Sequence, residues 1–344
     1  MKILIVSEFI EGCLGLSYFE AFNKSGCETY KFDLLYEYQK ANPLKKNKFA
    51  DRFLSGFFYK SINEKLIEDV NHLKPELVFV IKGHCILPDA IKQIKESSSA
   101  LIVNFNPDNP FNLNIGASSN LIRKSIPDYD CYFIWGKFLL MQLKALGAKR
   151  VEYLPFAYDP MLHYPVEVSS DERKFYGSDI AFIGSWDKER EYWLKFLTGY
   201  DLAIWGNGWK KLAKNSPLRL KWKEGEVVGK EFARVCSSSK IILNLVRKQN
   251  ANAHNMRTFE VPAAKGFMLS TRTEEVCNFF EEDKDISCFE TPSELKEKID
   301  KYLVEKDLRE AMCINANKKV QKHTYVERVK KVLDVCSELK RSHS

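Results

Sequence analysis

Residues 241–270 read IILNLVRKQNANAHNMRTFEVPAAKGFMLS, which predicts a strand, a short polar loop, a helix and a second strand. The apolar runs at 241–246 and 267–270 have the length of buried strands, and the helical stretch between them ends at Gly266. Strands that alternate with helices in this way form parallel sheets covered by helices. This stretch therefore predicts an α/β fold.

Two charged residues of this stretch suggest a ligand. Arg257 and Glu260 are three residues apart near the start of the predicted helix, so they share one face of it. A helix N-terminus attracts phosphate through its free N–H groups and its dipole. Because a cation suits a diphosphate and a carboxylate suits ribose hydroxyls, the pair predicts a nucleotide-sugar site. The same spacing also fits an ordinary ion pair on the surface.

Strand and helix alternate along nearly the whole chain. Apolar runs predict strands at 2–7, 27–33, 76–82, 100–106 and 131–136, and again at 179–184, 201–205, 241–246, 267–271 and 286–289. A polar stretch separates the two series, so we predict two doubly wound domains with parallel sheets. In such sheets ligands bind beyond the carboxyl ends of the strands, and we expect the site in a cleft between the domains.

Composition excludes several classes of protein. The 344 residues are 45% hydrophobic and 29% charged, as in a soluble protein of two domains. The N-terminus lacks the features of a signal peptide, and no apolar run approaches the roughly 20 residues of a membrane span. The nine cysteines contain no C-x-x-C pair, which predicts neither a zinc site nor a disulfide framework. We therefore expect a cytoplasmic protein with no metal.

Short motifs exclude three enzyme classes. The first strand is not followed by G-x-G-x-x-G, which argues against a dinucleotide-dependent dehydrogenase. A Walker A sequence and a G-x-S-x-G elbow are also absent from the sequence. A P-loop nucleotidase and a serine hydrolase are therefore not expected.

A basic and aromatic segment at residues 44–60 suggests a peripheral contact. It interleaves lysines with aromatic residues, a composition that suits an anionic membrane surface or a charged acceptor. A helix whose aromatic side packs on the domain explains the pattern as well. No nucleic-acid-binding motif accompanies it, so we expect no nucleic acid partner.

Several stretches of the second half resemble a known family. In order, they are IGS at 183–185 with Glu189 and Arg190, DLAIWGNGW at 201–209, SKIILNL at 239–245, HNMRTFE at 254–260, and HTY at 323–325 with Arg328. They are similar to the CgeB-like (spore-maturation type) glycosyltransferases, a branch of the two-domain GT-B enzymes. VNFNPDNP at 103–110 and LPFA at 154–157 resemble the family's first half more loosely.

The resemblance implies the GT-B fold, in which two Rossmann-like domains face each other across a cleft. It implies an acceptor domain at 1–160 and a nucleotide-sugar-binding domain at 161–325. The amphipathic pattern at 326–344 predicts a terminal helix, which either returns to the first domain or mediates dimerisation.

The resemblance also implies transfer of a sugar from a nucleoside-diphosphate sugar to a glycan or lipid-linked acceptor in surface polysaccharide or glycoconjugate biosynthesis. Neither a metal nor a cofactor is expected, so protein groups must stabilise the leaving diphosphate. Glu260 would bind the ribose and Trp209 the base. The groups expected at the diphosphate are Gly184, Ser185, Arg190, Arg247 or Lys248, His254, Asn255 and Arg257.

One departure concerns the reaction mechanism. Many retaining GT-B enzymes carry an E-x7-E pair, but the position eight residues before Glu260 is Asn252. An inverting route needs a general base beside the acceptor, for which Asp108 is the first candidate and His84 and Glu11 are further ones. A turn beside proline also explains Asp108. The alternatives to a transferase are a nucleotide-sugar epimerase or hydrolase of the same fold, and a binding protein without catalysis.

Overall fold

The computed structural model describes residues 1–42, 48–112, 118–250 and 252–343. It divides the chain into two compact units. Unit 1 comprises Met1–Pro155 and Tyr325–Ser344, and unit 2 comprises Phe156–Thr324. The chain therefore passes between units after residue 155, whereas the sequence-based boundary was placed after residue 160.

Unit 1 contains a six-stranded sheet in the order β2-β1-β3-β4-β5-β6, and every pairing in it is parallel. The central strands β3 and β4 are buried at every position, as expected for a sheet with helices on both faces. The strands are β1 (Lys2–Ser7), β2 (Glu28–Asp33), β3 (Leu77–Ile81), β4 (Leu101–Asn106), β5 (Cys131–Ile134) and β6 (Val151–Tyr153). The helices are α1 (Leu14–Lys24), α2 (Leu34–Ala41), α3 (Lys48–Leu73), α4 (Pro88–Ser97), α5 (Asn120–Ser125) and α6 (Leu140–Ala145).

Unit 2 contains a five-stranded parallel sheet in the order β11-β10-β9-β7-β8. Its strands are β7 (Ile180–Ile183), β8 (Leu202–Trp205), β9 (Ile241–Asn244), β10 (Met268–Thr271) and β11 (Ser287–Phe289). Its helices are α7 (Ser170–Tyr176), α8 (Lys188–Lys195), α9 (Lys230–Ser238), α10 (Arg257–Ala263), α11 (Glu274–Phe279), α12 (Pro292–Val304) and α13 (Lys306–Val320). Each unit is thus a doubly wound α/β domain, as predicted.

The last helix, α14 (Tyr325–His343), packs on unit 1. The ring of Tyr325 lies 5.1 Å from the ring of Tyr18 on α1, and Val332 is completely buried. Lys331 Nζ donates to the carbonyl oxygen of Tyr153 at 2.7 Å, and Arg328 Nε donates to that of Pro155 at 2.9 Å. These bonds tie α14 to the end of β6, so the terminal helix completes the first unit.

The sequence-based strands coincide with strands of the structure, but β6 was not predicted. It has three residues, none of them fully buried, so it lacks the apolar run that marks the other strands. None of the helices in the described ranges combines the length and the apolar composition that a membrane crossing requires.

The basic and aromatic segment predicted at 44–60 falls partly outside the described residues, which resume at Lys48. Within its described part, Phe57 is 71% exposed, whereas Phe58 on α3 is 4% exposed. One aromatic side chain therefore packs on the domain and its neighbour faces solvent.

We predict that Val332→Asp destabilises the protein by more than about 3 kcal/mol, because a carboxylate would replace a fully buried methyl pair without a partner. Ser337→Asp, at an exposed position of the same helix, is the matched control and should change stability by less than about 0.5 kcal/mol. Urea unfolding followed by circular dichroism measures both. Equal effects would show that α14 adds little to the core of unit 1.

Candidate functional site

The carboxyl ends of β7 and β8 form a tight pair of loops in unit 2. Gly206 has φ +136°, and a Cβ there would lie 2.3 Å from the carbonyl oxygen of Gly184, so only glycine allows this approach. Gly184 N–H donates to the carbonyl of Trp205 at 2.8 Å. The loop that contains Gly184 and Ser185 is therefore fixed by backbone contacts at the edge where ligands of such sheets bind.

Three arginines gather at this edge. Arg190, on α8, donates through Nη1 to the carbonyl of Ser185 at 2.8 Å. Arg247 follows β9, and its Nε lies 2.7 Å from Oδ2 of Asp187. Arg257, at the start of α10, donates through Nε to the carbonyl of Ile183 at 3.2 Å. The three side chains thus reach one strand edge from two connections, the one after β7 and the one between β9 and α10.

The environment of Arg190 is electrostatically unfavourable for its charge. Burial, together with the like charges of Arg247 and Arg257, lowers the pKa of Arg190 to about 10, although Asp187 partly offsets this. The carboxylate of Asp187 is shared, because Arg190 Nε also lies 3.5 Å from its Oδ2. An added anion would relieve the remaining repulsion, so this cluster is suited to bind phosphate.

Glu260 is buried, with 2% exposure, and it already has charged and polar neighbours. Oε2 accepts a hydrogen bond from Arg257 Nη1, and Oε1 lies 3.5 Å from His163 Nε2. Each carboxylate oxygen of Glu260 thus faces a different side chain of the protein. The predicted pair therefore exists, but as a partly buried ion pair rather than as two separate ligand groups.

The structure corrects the role predicted for His254. Its side chain has no exposed surface, and its Nε2 accepts a hydrogen bond from the backbone N–H of Phe156 at 3.0 Å. Its Nδ1 lies 2.5 Å from Oε2 of Glu275, and its ring packs edge-on against Phe259 and Phe279. Because the imidazole is enclosed and bonded at both nitrogens, His254 stabilises the fold and does not face a ligand.

Trp209 also differs from its predicted role. Its indole is fully buried in the core beside Phe182, and its Nε1–H donates to the carbonyl of Gly184 at 2.9 Å. A buried ring cannot stack on a nucleotide base. Trp209 therefore stabilises the Gly184 loop from the core of unit 2. Its position contradicts the predicted stacking on a base.

The side chain of Asn255 forms hydrogen bonds at the start of α10 and was predicted to bind the diphosphate. Its Oδ1 accepts from the N–H of Thr258 at 3.2 Å, and its Nδ2 donates to Oδ1 of Asn244 at 2.7 Å. The N–H groups of Phe259 and Glu260 are bonded to the carbonyl of Met256. Three N–H groups at the start of this helix, those of Thr258, Phe259 and Glu260, are thus bonded to its own residues. Lys248, the alternative to Arg247, is exposed, and its backbone N–H donates to Glu189.

The candidate bases lie at the carboxyl edge of unit 1. Asp108 follows β4, and its Oδ2 lies 2.7 Å from Nζ of Lys82, which follows β3. His84 is half-buried in the same loop as Lys82; burial is the main cause that lowers its pKa, with a further decrease from Lys82 and a partial increase from Glu8. Glu11 is exposed in the turn before α1. Asp108 therefore starts in an ion pair, whereas His84 is held as a neutral imidazole.

Strained backbone marks the same edge. Lys82 has φ +62° and Gly83 has φ +69°, so two consecutive residues after β3 adopt the left-handed region. Such a conformation costs energy for lysine and is often found at functional sites. These two residues turn the chain after β3, where Lys82 contacts Asp108 and His84 follows.

Among the described residues, one group could bind a metal ion: Cys277, Glu282 and Cys288. Both oxygens of Glu282 already accept hydrogen bonds from Arg272, at 2.9 and 2.7 Å. Burial raises the pKa of both cysteines, which disfavours the thiolates that bind metals. The group is therefore better explained by the ion pair than by a metal.

A family model resembles part of the chain. Residues 188–334 match a model described as glycosyl transferase-like, and no curated protein matches the chain. The matched stretch begins at α8 and ends within α14, and it is less than half of the chain.

Solved structures share this fold over the whole chain. Sucrose-phosphate synthase from Thermosynechococcus elongatus is 11% identical with a TM-score of 0.71, and the alignment covers 99% of each chain. Anabaena HepE in complex with UDP-glucose is 9% identical with a TM-score of 0.67, over 98% of this chain and 100% of that one. A glycosyltransferase from Rickettsia africae is 14% identical with a TM-score of 0.65, over 98% of each. The predicted fold is thus confirmed.

We predict that His254→Ala lowers the free energy of unfolding by about 2–4 kcal/mol, because it leaves Glu275 and the Phe156 N–H buried without this partner. Denaturant unfolding measures the loss, and the exposed neighbour Glu274→Ala is the control. If His254→Ala kept its stability but lost nucleotide affinity, His254 would bind the ligand, as the sequence predicts.

Proposed function

We propose that the protein transfers a glycosyl group from a nucleoside-diphosphate sugar to an acceptor, with the donor bound at the carboxyl edge of unit 2. The observation that carries this proposal is the cluster of Arg190, Arg247 and Arg257, in which the Arg190 side chain, 15% exposed, is opposed by two like charges. A diphosphate supplies the negative charge that this edge lacks. The glycosyl transferase-like family match over 188–334 supports the same assignment.

The arginine cluster also supports the proposal that catalysis needs no metal. Charge develops on the leaving diphosphate as the glycosidic bond breaks, and fixed cations stabilise it in the transition state. Guanidinium groups bind phosphate oxygens in a bidentate way. We therefore propose that these side chains serve in place of a metal ion.

The pair of Arg257 and Glu260 predicts an exchange of partners when the donor binds. The diphosphate competes with Glu260 for the guanidinium of Arg257, whose side chain is 29% exposed. When Arg257 turns to the phosphates, Oε2 of Glu260 becomes available to the ribose. Diphosphate binding and ribose binding are therefore coupled through one side chain.

A nucleotide panel tests the donor site. UDP, GDP, ADP and dTDP should each be measured by thermal shift and calorimetry in the presence of a chelator, and at least one should raise the melting temperature. Arg257→Gln should weaken that nucleotide by about 10- to 100-fold, because a hydrogen bond between charged groups is lost. The free nucleoside should change by less than about twofold, since it carries no phosphate.

Arg173→Gln, an exposed arginine on α7 outside the cluster, is the matched control and should leave nucleotide affinity unchanged. The proposal is contradicted if no nucleotide shifts the wild type. Equal losses for nucleotide and nucleoside in Arg257→Gln would instead contradict the diphosphate role of that residue alone.

For the acceptor side, we propose His84 as the general base. A base must accept a proton from the acceptor hydroxyl near neutral pH. His84 meets this need because its lowered pKa keeps it neutral, whereas Asp108 is paired with Lys82. This proposal reverses the order predicted from the sequence, in which Asp108 came first.

We predict that His84→Asn lowers kcat by about 100-fold or more while nucleotide affinity is retained, because only proton transfer is removed. Released diphosphate, measured with a nucleotide-sugar panel and cell-envelope extract as acceptor, gives the rate. The neutral imidazole is the active form, and burial lowers the pKa of His84. As the pH falls, kcat/KM should therefore decrease with an apparent pKa below about 6.5, the ordinary histidine value. Activity kept in His84→Asn but lost in Asp108→Asn would assign the base to Asp108.

Finer assignments follow from the resemblance. We propose the CgeB-like subtype, a glycan or lipid-linked acceptor, a role in surface polysaccharide or glycoconjugate assembly, and peripheral membrane contact through residues 44–60 from the cytoplasmic side. The exposed ring of Phe57 beside Lys60 supports the last of these. Diphosphate released without added acceptor would indicate the hydrolase alternative instead.

A further inference from the structure

His163 is a nearly buried histidine beside Glu260 that no sequence motif marks. It is 9% exposed and lies in the segment before α7. Its backbone N–H donates to the carbonyl of Asp159 at 2.8 Å, and the N–H of Asp159 donates back to the ring Nδ1 at 3.2 Å. This closed turn fixes both the backbone and the ring of His163.

The turn also fixes which ring nitrogen of His163 carries the proton. Because Nδ1 accepts a hydrogen bond, a neutral ring must carry its proton on Nε2. Burial is the main cause that lowers the pKa of His163, with a further decrease from Arg257 and increases from Glu260 and Asp159, so the ring is neutral near pH 7. The donor Nε2 lies 3.5 Å from Oε1 of Glu260, so a shift of about half an ångström makes a hydrogen bond.

Phe232 contacts both His163 and Arg257, which face opposite oxygens of Glu260. The phenyl ring is 1% exposed on α9 and meets the His163 ring edge-on, with centroids 5.3 Å apart. The guanidinium of Arg257 lies 4.8 Å from the same ring centroid. One ring therefore contacts both partners of the carboxylate, and Arg257 is the partner with the exposed side chain.

We propose that His163 is the positioning residue that holds Glu260 for ribose recognition. The inference rests on the proposed function: when the diphosphate takes Arg257, Oε2 of Glu260 loses its partner, and a shift of about half an ångström then lets His163 Nε2–H hold Oε1. A single held oxygen keeps the carboxylate from turning and presents the other to the ribose hydroxyls. His163 itself touches no ligand.

Two substitutions separate positioning from packing. His163→Asn keeps an oxygen near the place of Nδ1 for the Asp159 N–H but lacks a donor toward Glu260. His163→Gln reaches farther and presents an amide N–H near the place of Nε2. Both variants replace the buried imidazole with a side chain of different shape. If His163 only packs, the two variants should therefore change nucleotide affinity to a similar extent. Tyr164→Phe, at the next and more exposed residue, is the control.

The readout is ribose selectivity, which packing does not change. UDP, GDP and ADP are each compared with their 2′-deoxy counterparts by calorimetry on the full chain, and thermal unfolding checks that every variant is folded. For the nucleotide that binds, His163→Asn should lower the preference for ribose by about tenfold. His163→Gln should restore it to within about twofold, and Tyr164→Phe should leave it unchanged.

Three results would overturn the inference. An unchanged ribose preference in a folded His163→Asn variant would show that Glu260 needs no such support. An equal decrease in affinity for the ribose and 2′-deoxy forms in both variants would show a packing role. Binding of dTDP alone, with none of the three ribonucleotides, would overturn this inference and leave the donor site standing, whereas absence of binding of all four nucleotides would overturn both.

Discussion

Parallel pairing imposes one constraint on which the candidate site depends: every strand of unit 2 delivers its carboxyl end to the same edge of the sheet. The loops after β7, β9 and the start of α10 each bring an arginine to that edge. Because Arg190 is largely buried while Arg247 and Arg257 lie near it, its charge is costly without an anion. Ionisable groups whose pKa is shifted by burial and by like charges mark functional sites.

Glu260 and Asp187 moderate this positive charge in different ways. Asp187 is shared between Arg190 and Arg247, so it stabilises two guanidiniums that stay in place. Glu260 pairs with Arg257, which is partly exposed, and with neutral His163. A buried ion pair contributes little net stability because desolvation offsets its attraction. In the proposed exchange, the ribose hydroxyls must therefore replace the partner that Glu260 loses, because a buried carboxylate left without a partner is costly.

The sequence carries enough information for the fold because buried parallel strands leave long apolar runs, as in β3 and β4. β6 was not predicted because it is an edge strand of three partly exposed residues, which has no long apolar run. The cations of the site were also predictable, since Arg190 and Arg257 follow strand–loop patterns. The terminal helix was predicted from its period, but its partner α1 depends on packing that local sequence does not encode.

Tertiary contacts explain why three predicted site residues are used differently. His254 and Trp209 are buried and bond the backbone of Phe156 and Gly184, whereas the partly exposed Asn255 bonds the N–H of Thr258. A motif gives positions along the chain, whereas orientation depends on tertiary partners such as Glu275 and Gly184. His163 was missed for the converse reason: its partner Glu260 is about 100 residues away in sequence, and only folding brings the two together.

The two strand edges differ in the kind of chemistry that they support. At the edge of unit 2, cations outnumber the carboxylates that contact them, which suits an anionic leaving group. At the edge of unit 1, Lys82 is paired with Asp108, and His84 remains neutral beside Glu8. A neutral base does not repel or strongly attract an uncharged hydroxyl, yet it can accept its proton. Under the proposed function, the edge of unit 2 would hold the departing phosphate and the edge of unit 1 would supply the base for the attacking hydroxyl.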